Sequence, residues 1–457
     1  MLNQIKYYST NLKAEKVSFR DALLKGLAPD GGLYMPEVIP VIPRNEFNTF
    51  SPLEYHEIAY YVTRRFLHSE IPDNDLKSIV KDAYNYQVPL EKVFDRKYIM
   101  RLDHGPTASF KDFAARMMGR LMQYFLQKEN RKMLILTATS GDTGSAIANA
   151  FYELDNIKVV VLFPEKEITD RQRKQMTTLH KNIQILALDG KFDDCQALVK
   201  KAFSDPELDY LKLSSANSIN IGRLLPQSVY YIYSFAKLTN DKSDDSVIFS
   251  VPSGNFGNLM GGLIAMKTGL PVKKFVVSTN ENDEVPVYWQ TGMYNTIIPS
   301  INCISSAMNV GHPSNMARIV ALYGGVMNEK GDILKEPDLE KMRKDMFAVS
   351  INDEHTKAML KKAYQDYQLL LEPHGAVSWA GLMKNFEIQP SDSSADQLCV
   401  SLETAHPAKF PEEIRSILGL DPDLPESLLD LDAKKEKFDK IKNDYIAFKN
   451  YLKDNYN

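Results

Sequence analysis

The sequence predicts an α/β fold built on a mainly parallel sheet, and three observations carry that prediction. Short apolar, β-branched runs recur at 133–138, 159–163, 183–188, 247–251, 275–277 and 398–402. Helical patterns stand between them, as at 192–202 and 259–268. Several runs end in glycine-bearing turns that open into the next helix. Buried strands alternating with amphipathic helices make βαβ units, whose crossovers set the strands parallel. Such sheets bind ligands beyond the carboxyl ends of their strands, so chemistry is expected in the strand-to-helix loops.

In chain order, residues up to about 98 read as mostly helical, with a tight turn at Pro29-Asp30-Gly31-Gly32. The run 133–138 is the first clear strand. It leads through a glycine turn into a helical pattern ending near Ala150. The second strand, 159–163, is stopped by Pro164, which has no N–H to give a ladder. After the third, 183–188, the residues Phe192, Cys195, Val199 and Ala202 fall on one helical face. The runs 247–251 and 275–277 flank a helix over 259–268. Beyond Pro425 a Lys/Asp/Glu-rich tail carries Phe438, Tyr445, Phe448 and Tyr451. It reads as an amphipathic helix packed on the body, with a partner-binding helix as the alternative.

Bulk properties narrow the function classes. A chain of 457 residues is long enough for two or three domains. A net charge of −4 gives no case for a nucleic-acid partner, because such proteins carry a basic excess. The three cysteines, Cys195, Cys303 and Cys399, are too few and too scattered for a disulfide framework or a zinc site. No run approaches the ~20 apolar residues of a membrane span. The N-terminus has no apolar signal segment. Together these readings predict a cytoplasmic protein without nucleic-acid or membrane partners and without a bound metal.

Four loops and one lysine hold the candidate chemistry. Lys111 sits in His104-Gly105-Pro106-Thr107-Ala108-Ser109-Phe110-Lys111-Asp112-Phe113, boxed by a Gly-Pro turn and by aromatic rings at Phe110 and Phe113. Apolar company disfavours the charged amine, and a neutral amine is what Schiff-base chemistry uses. The loop 137–145 offers glycines, a helix N-terminus and hydroxyls at Thr139, Ser140 and Thr143, a cradle for a small carboxylate. A plain helix cap would use the same residues. The loop 251–258, with Gly254, Asn255, Phe256, Gly257 and Asn258, suits a phosphate held by main-chain N–H groups. It lacks the lysine of a P-loop and the full dinucleotide fingerprint. In 214–223, Asn217, Ser218 and Arg223 are placed to converge on a second anion, arginine being suited to phosphate. Thr404, at the end of the 398–402 run, could bond a ring nitrogen; His406 and Lys409 are further candidates. A Schiff-base lysine, two anion cradles, a carboxylate cradle and such a hydroxyl describe pyridoxal 5′-phosphate (PLP) with a phosphorylated amino-acid substrate.

On these motifs the chain resembles the threonine synthases, a branch of the fold-type II PLP enzymes related to tryptophan synthase β. The N-terminal signature 19–37, the lysine box, SGDTG, SANSIN, SGNFGN and TAHPAKF stand in the family's order. The resemblance implies two mainly parallel-sheet lobes with a mostly helical N-terminal module. It divides the chain into that module (1–98), a PLP-binding core (99–420) and a C-terminal helical tail (421–457). It implies that Lys111 joins PLP covalently and that Gly254, Asn255, Phe256, Gly257, Asn258 and Thr404 hold it. Ser140, Asp142 and Thr143 would meet the substrate carboxylate, and Asn217, Ser218 and Arg223 its phosphate. The implied reaction converts O-phospho-L-homoserine and water to L-threonine and phosphate, in a monomer or small homo-oligomer. A hydroxyl rather than a carboxylate at Thr404 is expected to leave the pyridine nitrogen largely unprotonated. Asn11, Asn258 and Asn309 depart from the family's usual residues.

Overall fold

Two parallel sheets set the architecture of the computed structural model, which describes residues 4–139, 141–239 and 245–456. The larger has six strands in the order Met346–Ser350, Val272–Thr279, Val247–Pro252, Leu398–Glu403, Lys97–Arg101 and Leu90–Phe94, parallel except for the last pair. The smaller has five, Asp439–Ile441, Ile183–Leu188, Ile157–Pro164, Met133–Ala138 and Leu213–Ser214, all parallel. Strands such as Met133–Ala138 and Val247–Pro252 are buried along their whole length. Cover on both faces explains why they read as continuous apolar runs rather than alternating ones.

Three of the sequence readings change. The strand Lys97–Arg101 was hidden by its charged ends, yet Lys97 is fully buried. Its ammonium donates to the Ser394 and Gln397 carbonyls at 2.6 and 3.1 Å, which is how a lysine comes to lie inside a sheet. A boundary at residue 98 would fall within this strand. The tail is not wholly helical either. The strand Asp439–Ile441 extends the smaller sheet before the helix Tyr445–Tyr456 begins. That helix packs on the body as expected, burying Phe448 and Leu452 against the cluster that holds Cys195 and Leu198. Phe113, finally, does not flank the lysine. It lies in the core among Tyr55, Tyr86 and Tyr230, with ring centroids 5.1–5.5 Å away.

The N-terminal segment is largely helical, with Phe19–Lys25, Arg44–Thr49, Tyr55–Leu67 and Asp73–Ala83. Its glycine turn is organised by Asp30, which accepts from the Ser9 hydroxyl (2.6 Å) and from the backbone of Lys13, Ala14 and Gly32. Asn11 donates to the Asp30 carbonyl at 2.9 Å. Asn220 staples this segment to the core by donating to the Leu23 carbonyl (2.8 Å). All three cysteines are free and buried. Among the described residues no helix is long and apolar enough to cross a membrane.

Candidate active site

Lys111 opens the 18-residue helix Lys111–Lys128. The backbone before it zips against the segment that follows Leu398–Glu403. Leu102 donates to the Glu403 carbonyl (3.0 Å), Phe110 to that of Thr404 (2.9 Å), and His406 to that of Ala108 (3.0 Å). This ladder brings Lys111 and Thr404, 293 positions apart in the numbering, to one site. The turn is pinned from below by Asp112, which accepts from the Thr107 N–H (2.8 Å) and hydroxyl (2.7 Å). The Lys111 amine lies over the Phe110 ring, 4.9 Å from its centroid, and makes no hydrogen bond or ion pair with any described residue. Burial lowers its pKa, opposed by Asp142 and Glu372 and reinforced by the Lys409 and Arg223 charges. That shift runs in the direction Schiff-base chemistry uses.

In the 137–145 loop a single hydroxyl supplies the cap. The Thr139 hydroxyl accepts from the N–H groups of Gly141 (3.0 Å) and Gly144 (2.7 Å), so this side chain does the capping. The Asp142 and Thr143 N–H groups find no acceptor among the described residues, which leaves them for an anion at the helix start. Gly141 adopts φ +129°, and a Cβ there would come within 2.6 Å of the Gln172 side chain. The Asp142 carboxylate itself is engaged. Lys409 approaches it at 2.6 Å and Gln172 donates to it at 3.0 Å, all three side chains being buried. Burial alone would raise the Asp142 pKa, but the Lys409 and Lys111 cations hold it well below the ordinary carboxylate range. With its carboxylate engaged, what Asp142 has left to offer an anion is its backbone N–H. Ser140 lies outside the described residues.

The 251–258 loop is a second cradle. Phe256 takes a left-handed conformation (φ +59°) that turns the chain into the helix Gly257–Lys267. Met260 is the first residue of that helix whose N–H finds a backbone acceptor, the Phe256 carbonyl, so the earlier N–H groups face the loop. A Cβ on Gly254 would stand 2.8 Å from the Met308 Cα, so only glycine lets the 303–309 segment close beneath it. Asn309 braces that segment, accepting from Asn280 at 2.8 Å. Asn258 turns its side-chain oxygen to the Tyr230 and Tyr231 hydroxyls (2.5 and 2.7 Å), and its buried Nδ2 has no partner. What it offers a phosphate is its backbone N–H.

The 214–223 segment approaches both cradles. Ser218 abuts Gly257, whose added Cβ would lie 3.3 Å from the Ser218 Cβ. Asn217 accepts from the Thr137 hydroxyl. Arg223 is buried, donates through Nη1 to the Ala216 carbonyl (2.7 Å), and leaves Nε without a partner. Burial pushes its pKa down to about 10, so it stays cationic at neutral pH. A buried cation with an unfilled donor calls for an anion.

At the Thr404 end stands a residue the sequence reading missed. Glu372, fully buried at the start of the helix Pro373–Ile388, accepts from the Thr404 hydroxyl at 3.2 Å. In sequence, Glu372-Pro373 reads only as the opening of a helix, and no local signal links it to a residue 32 positions on. Gln172 and Asp112 were missed for the same reason. The unpartnered Lys111 amine, the open first turn of Gly257–Lys267, the Gly254 close approach and the Thr404 hydroxyl together fit PLP.

Three family models match the chain: "Threonine synthase N terminus" over 6–84, "Pyridoxal-phosphate dependent enzyme" over 88–401 and "Threonine synthase, C-terminal" over 383–452. The threonine synthase of Haemophilus influenzae is 40% identical over 446 residues, 97% of this chain and 99% of its own. That of Escherichia coli is 38% identical over 425 residues, 93% and 94% of the two chains. Among solved structures, the PLP-bound threonine synthase from Brucella melitensis superposes with a TM-score of 0.90 at 34% identity, covering 99% of each chain. The yeast threonine synthase gives 0.89 at 32%, covering 98% of each.

Proposed function

The chain belongs to the threonine synthase family of PLP-dependent enzymes, and from that premise we propose which of its side chains carry each part of the reaction. It is a PLP-dependent lyase with threonine synthase function, acting on a small amino-acid phosphate. The reaction we assign is O-phospho-L-homoserine and water to L-threonine and phosphate, in a monomer or small homo-oligomer.

When bound, PLP supplies an electron sink for the carbons next to the substrate amine. Lys111 would anchor it through the ε-amine. With its amine free, Lys111 would serve as the general base for the Cα proton, and its lowered pKa suits that task. Backbone N–H groups of Gly254, Asn255, Phe256, Gly257 and Asn258 would hold the cofactor phosphate, and the Thr404 hydroxyl would serve the ring nitrogen. The Asp142 and Thr143 N–H groups, together with Ser140, receive the substrate carboxylate. Arg223, with Asn217 and Ser218, binds the substrate phosphate and holds it as it leaves Cγ. Lys409 neutralises Asp142, so that a substrate carboxylate does not meet an unpaired negative charge.

The observation that carries this reading is the half-buried Lys111 amine, without a hydrogen-bond or ion-pair partner among the described residues and within the field of Asp142, Lys409 and Arg223. The test incubates purified holoenzyme with O-phosphohomoserine and quantifies threonine and phosphate together. Equimolar release is expected. Phosphate without threonine, or no turnover despite bound PLP, overturns it.

A further inference from the structure

Arg318 ties the two phosphate cradles together. It lies in the helix Met316–Leu322 and is fully buried. Its Nε donates to the Tyr34 carbonyl of the N-terminal segment at 3.1 Å. Nη1 donates to the Ser218 carbonyl (2.9 Å) and to the Asn315 side-chain oxygen (2.7 Å), and Nη2 to the Ile219 carbonyl (2.6 Å). Every one of these partners is a neutral oxygen, and no carboxylate pairs with the guanidinium among the described residues. Burial alone pushes its pKa down to about 9, so the charge persists at neutral pH.

These bonds fix which way the neighbouring peptide groups face. A guanidinium can only donate, so the Asn315 amide turns its oxygen to Arg318 and its nitrogen the other way. Asn315 Nδ2 donates to the Asn255 carbonyl (3.0 Å) in the cofactor-phosphate loop. In a trans peptide the carbonyl and the next N–H point in opposite directions. Holding the Asn255 carbonyl on Asn315 therefore turns the Phe256 N–H away from it, and that N–H finds no acceptor among the described residues. The other cradle is set in the same way. With the Ser218 carbonyl on Arg318, the Ile219 N–H faces away from the guanidinium, again with no acceptor among the described residues. The Ile219 carbonyl, held in turn, sends the Asn220 N–H onto the Asn217 carbonyl (3.0 Å) and closes the turn that carries Asn217 and Ser218. The two cradles meet at Gly257, whose added Cβ would stand 3.3 Å from the Ser218 Cβ and 3.6 Å from Asn315 Nδ2.

A buried cation without a counter-charge is a poor staple for a fold, because apolar packing does the same without desolvating a charge. Beside two sites for anions the same charge is favourable. The planar fork also holds two successive carbonyls, which the single ammonium of a lysine does not reproduce.

We propose that Arg318 is a positioning residue that sets the cofactor-phosphate loop and the substrate-phosphate segment in one arrangement, freeing a peptide N–H in each for an anion. It rests on the reading that 251–258 holds the cofactor phosphate and 214–223 the substrate phosphate.

The experiment compares Arg318→Met, Arg318→Lys and Asn315→Ala with the wild type, all well below their melting temperatures. Two quantities are read: the rate at which diluted holoenzyme loses its visible absorbance, and KM for phosphate release from O-phosphohomoserine. Arg318→Met raises both by about 10-fold or more, since both cradles lose their hold. Arg318→Lys keeps the charge without the fork and raises both by less. Asn315→Ala cuts only the arm to Asn255, so cofactor loss quickens about 3- to 10-fold while KM stays within about twofold. Adding Arg318→Met to Asn315→Ala raises KM but quickens cofactor loss little further. An Arg318→Met protein that melts earlier yet moves neither quantity, or only one, shows a staple for the fold and overturns the proposal. Strictly additive effects of the two substitutions on cofactor loss overturn it as well. Arg223→Met separates the two layers. If it too leaves KM unmoved, the placement of the substrate phosphate fails, and the role of Arg318 with it. If it raises KM where Arg318→Met does not, the placement stands and only the role of Arg318 is overturned. Where Arg318→Met fails to fold, Arg318→Lys and Asn315→Ala decide by the same criteria.

Discussion

Replacing Arg223 with methionine removes the guanidinium and keeps most of the apolar stem. In the native chain Nη1 is tied to the Ala216 carbonyl at 2.7 Å, whereas Nε is buried and unpartnered. The proposed substrate phosphate thus gains one or two charge-assisted hydrogen bonds, each about 1.5–3 kcal/mol. Their loss, about 2–4 kcal/mol, lowers kcat/KM by about 30- to 900-fold. Most of it should appear as a raised KM, because the phosphate is bound before it leaves. Leaving the Ala216 carbonyl unpaired costs a further ~1–3 kcal/mol of stability, visible as a lower melting temperature. The assay follows phosphate release against substrate concentration, with PLP affinity measured separately by absorbance titration. An unchanged KM, or a PLP affinity that falls as far as substrate affinity, refutes the assignment of Arg223 to the substrate phosphate.

Other perturbations probe other parts. Lys111→Ala abolishes the visible absorbance of lysine-bound cofactor and lowers turnover by at least about 10²–10⁴-fold; a native spectrum after gel filtration removes Lys111 from its role. Lys409→Met strands the buried Asp142 and costs about 3–5 kcal/mol in urea unfolding, while Lys409→Met with Asp142→Asn recovers much of that loss; strictly additive losses contradict a coupled pair. Burial raises the Glu284 pKa from 4.5 to about 8, with both oxygens unpartnered. The folded state thus holds a proton that the unfolded state releases, so stability is full below about pH 4.5 and declines as pH rises toward 8. Glu284→Gln flattens that slope in thermal melts across the window; an unchanged slope refutes it.

The buried strands and the glycine loops were legible because their signals are local. Met133–Ala138 and Ile183–Leu188 coincide with their apolar runs, and the helix read over 192–202 is Phe192–Phe203. Lys111 stood out for its neighbours in the chain. What stayed hidden depends on partners far away in sequence. Lys97 reads as a surface lysine until the Ser394 and Gln397 carbonyls arrive to accept from it. Asp142 reads as a helix cap until Lys409 pairs with it, 267 positions later. Asp439–Ile441 is a three-residue strand with two charged members, too short for any periodicity to mark. It becomes a strand because the exposed edge of Ile183–Leu188 offers it a template.

The interleaving of the larger sheet governs how the polypeptide can mature on the ribosome. Leu398–Glu403 lies between Lys97–Arg101 and Val247–Pro252, so two strands made early wait for one made late. Nascent chains released before about residue 403 carry an open gap with two naked edges, the kind of surface that recruits chaperones or other chains. Four strands of the smaller sheet, by contrast, are complete by Ser214 and can consolidate while synthesis continues.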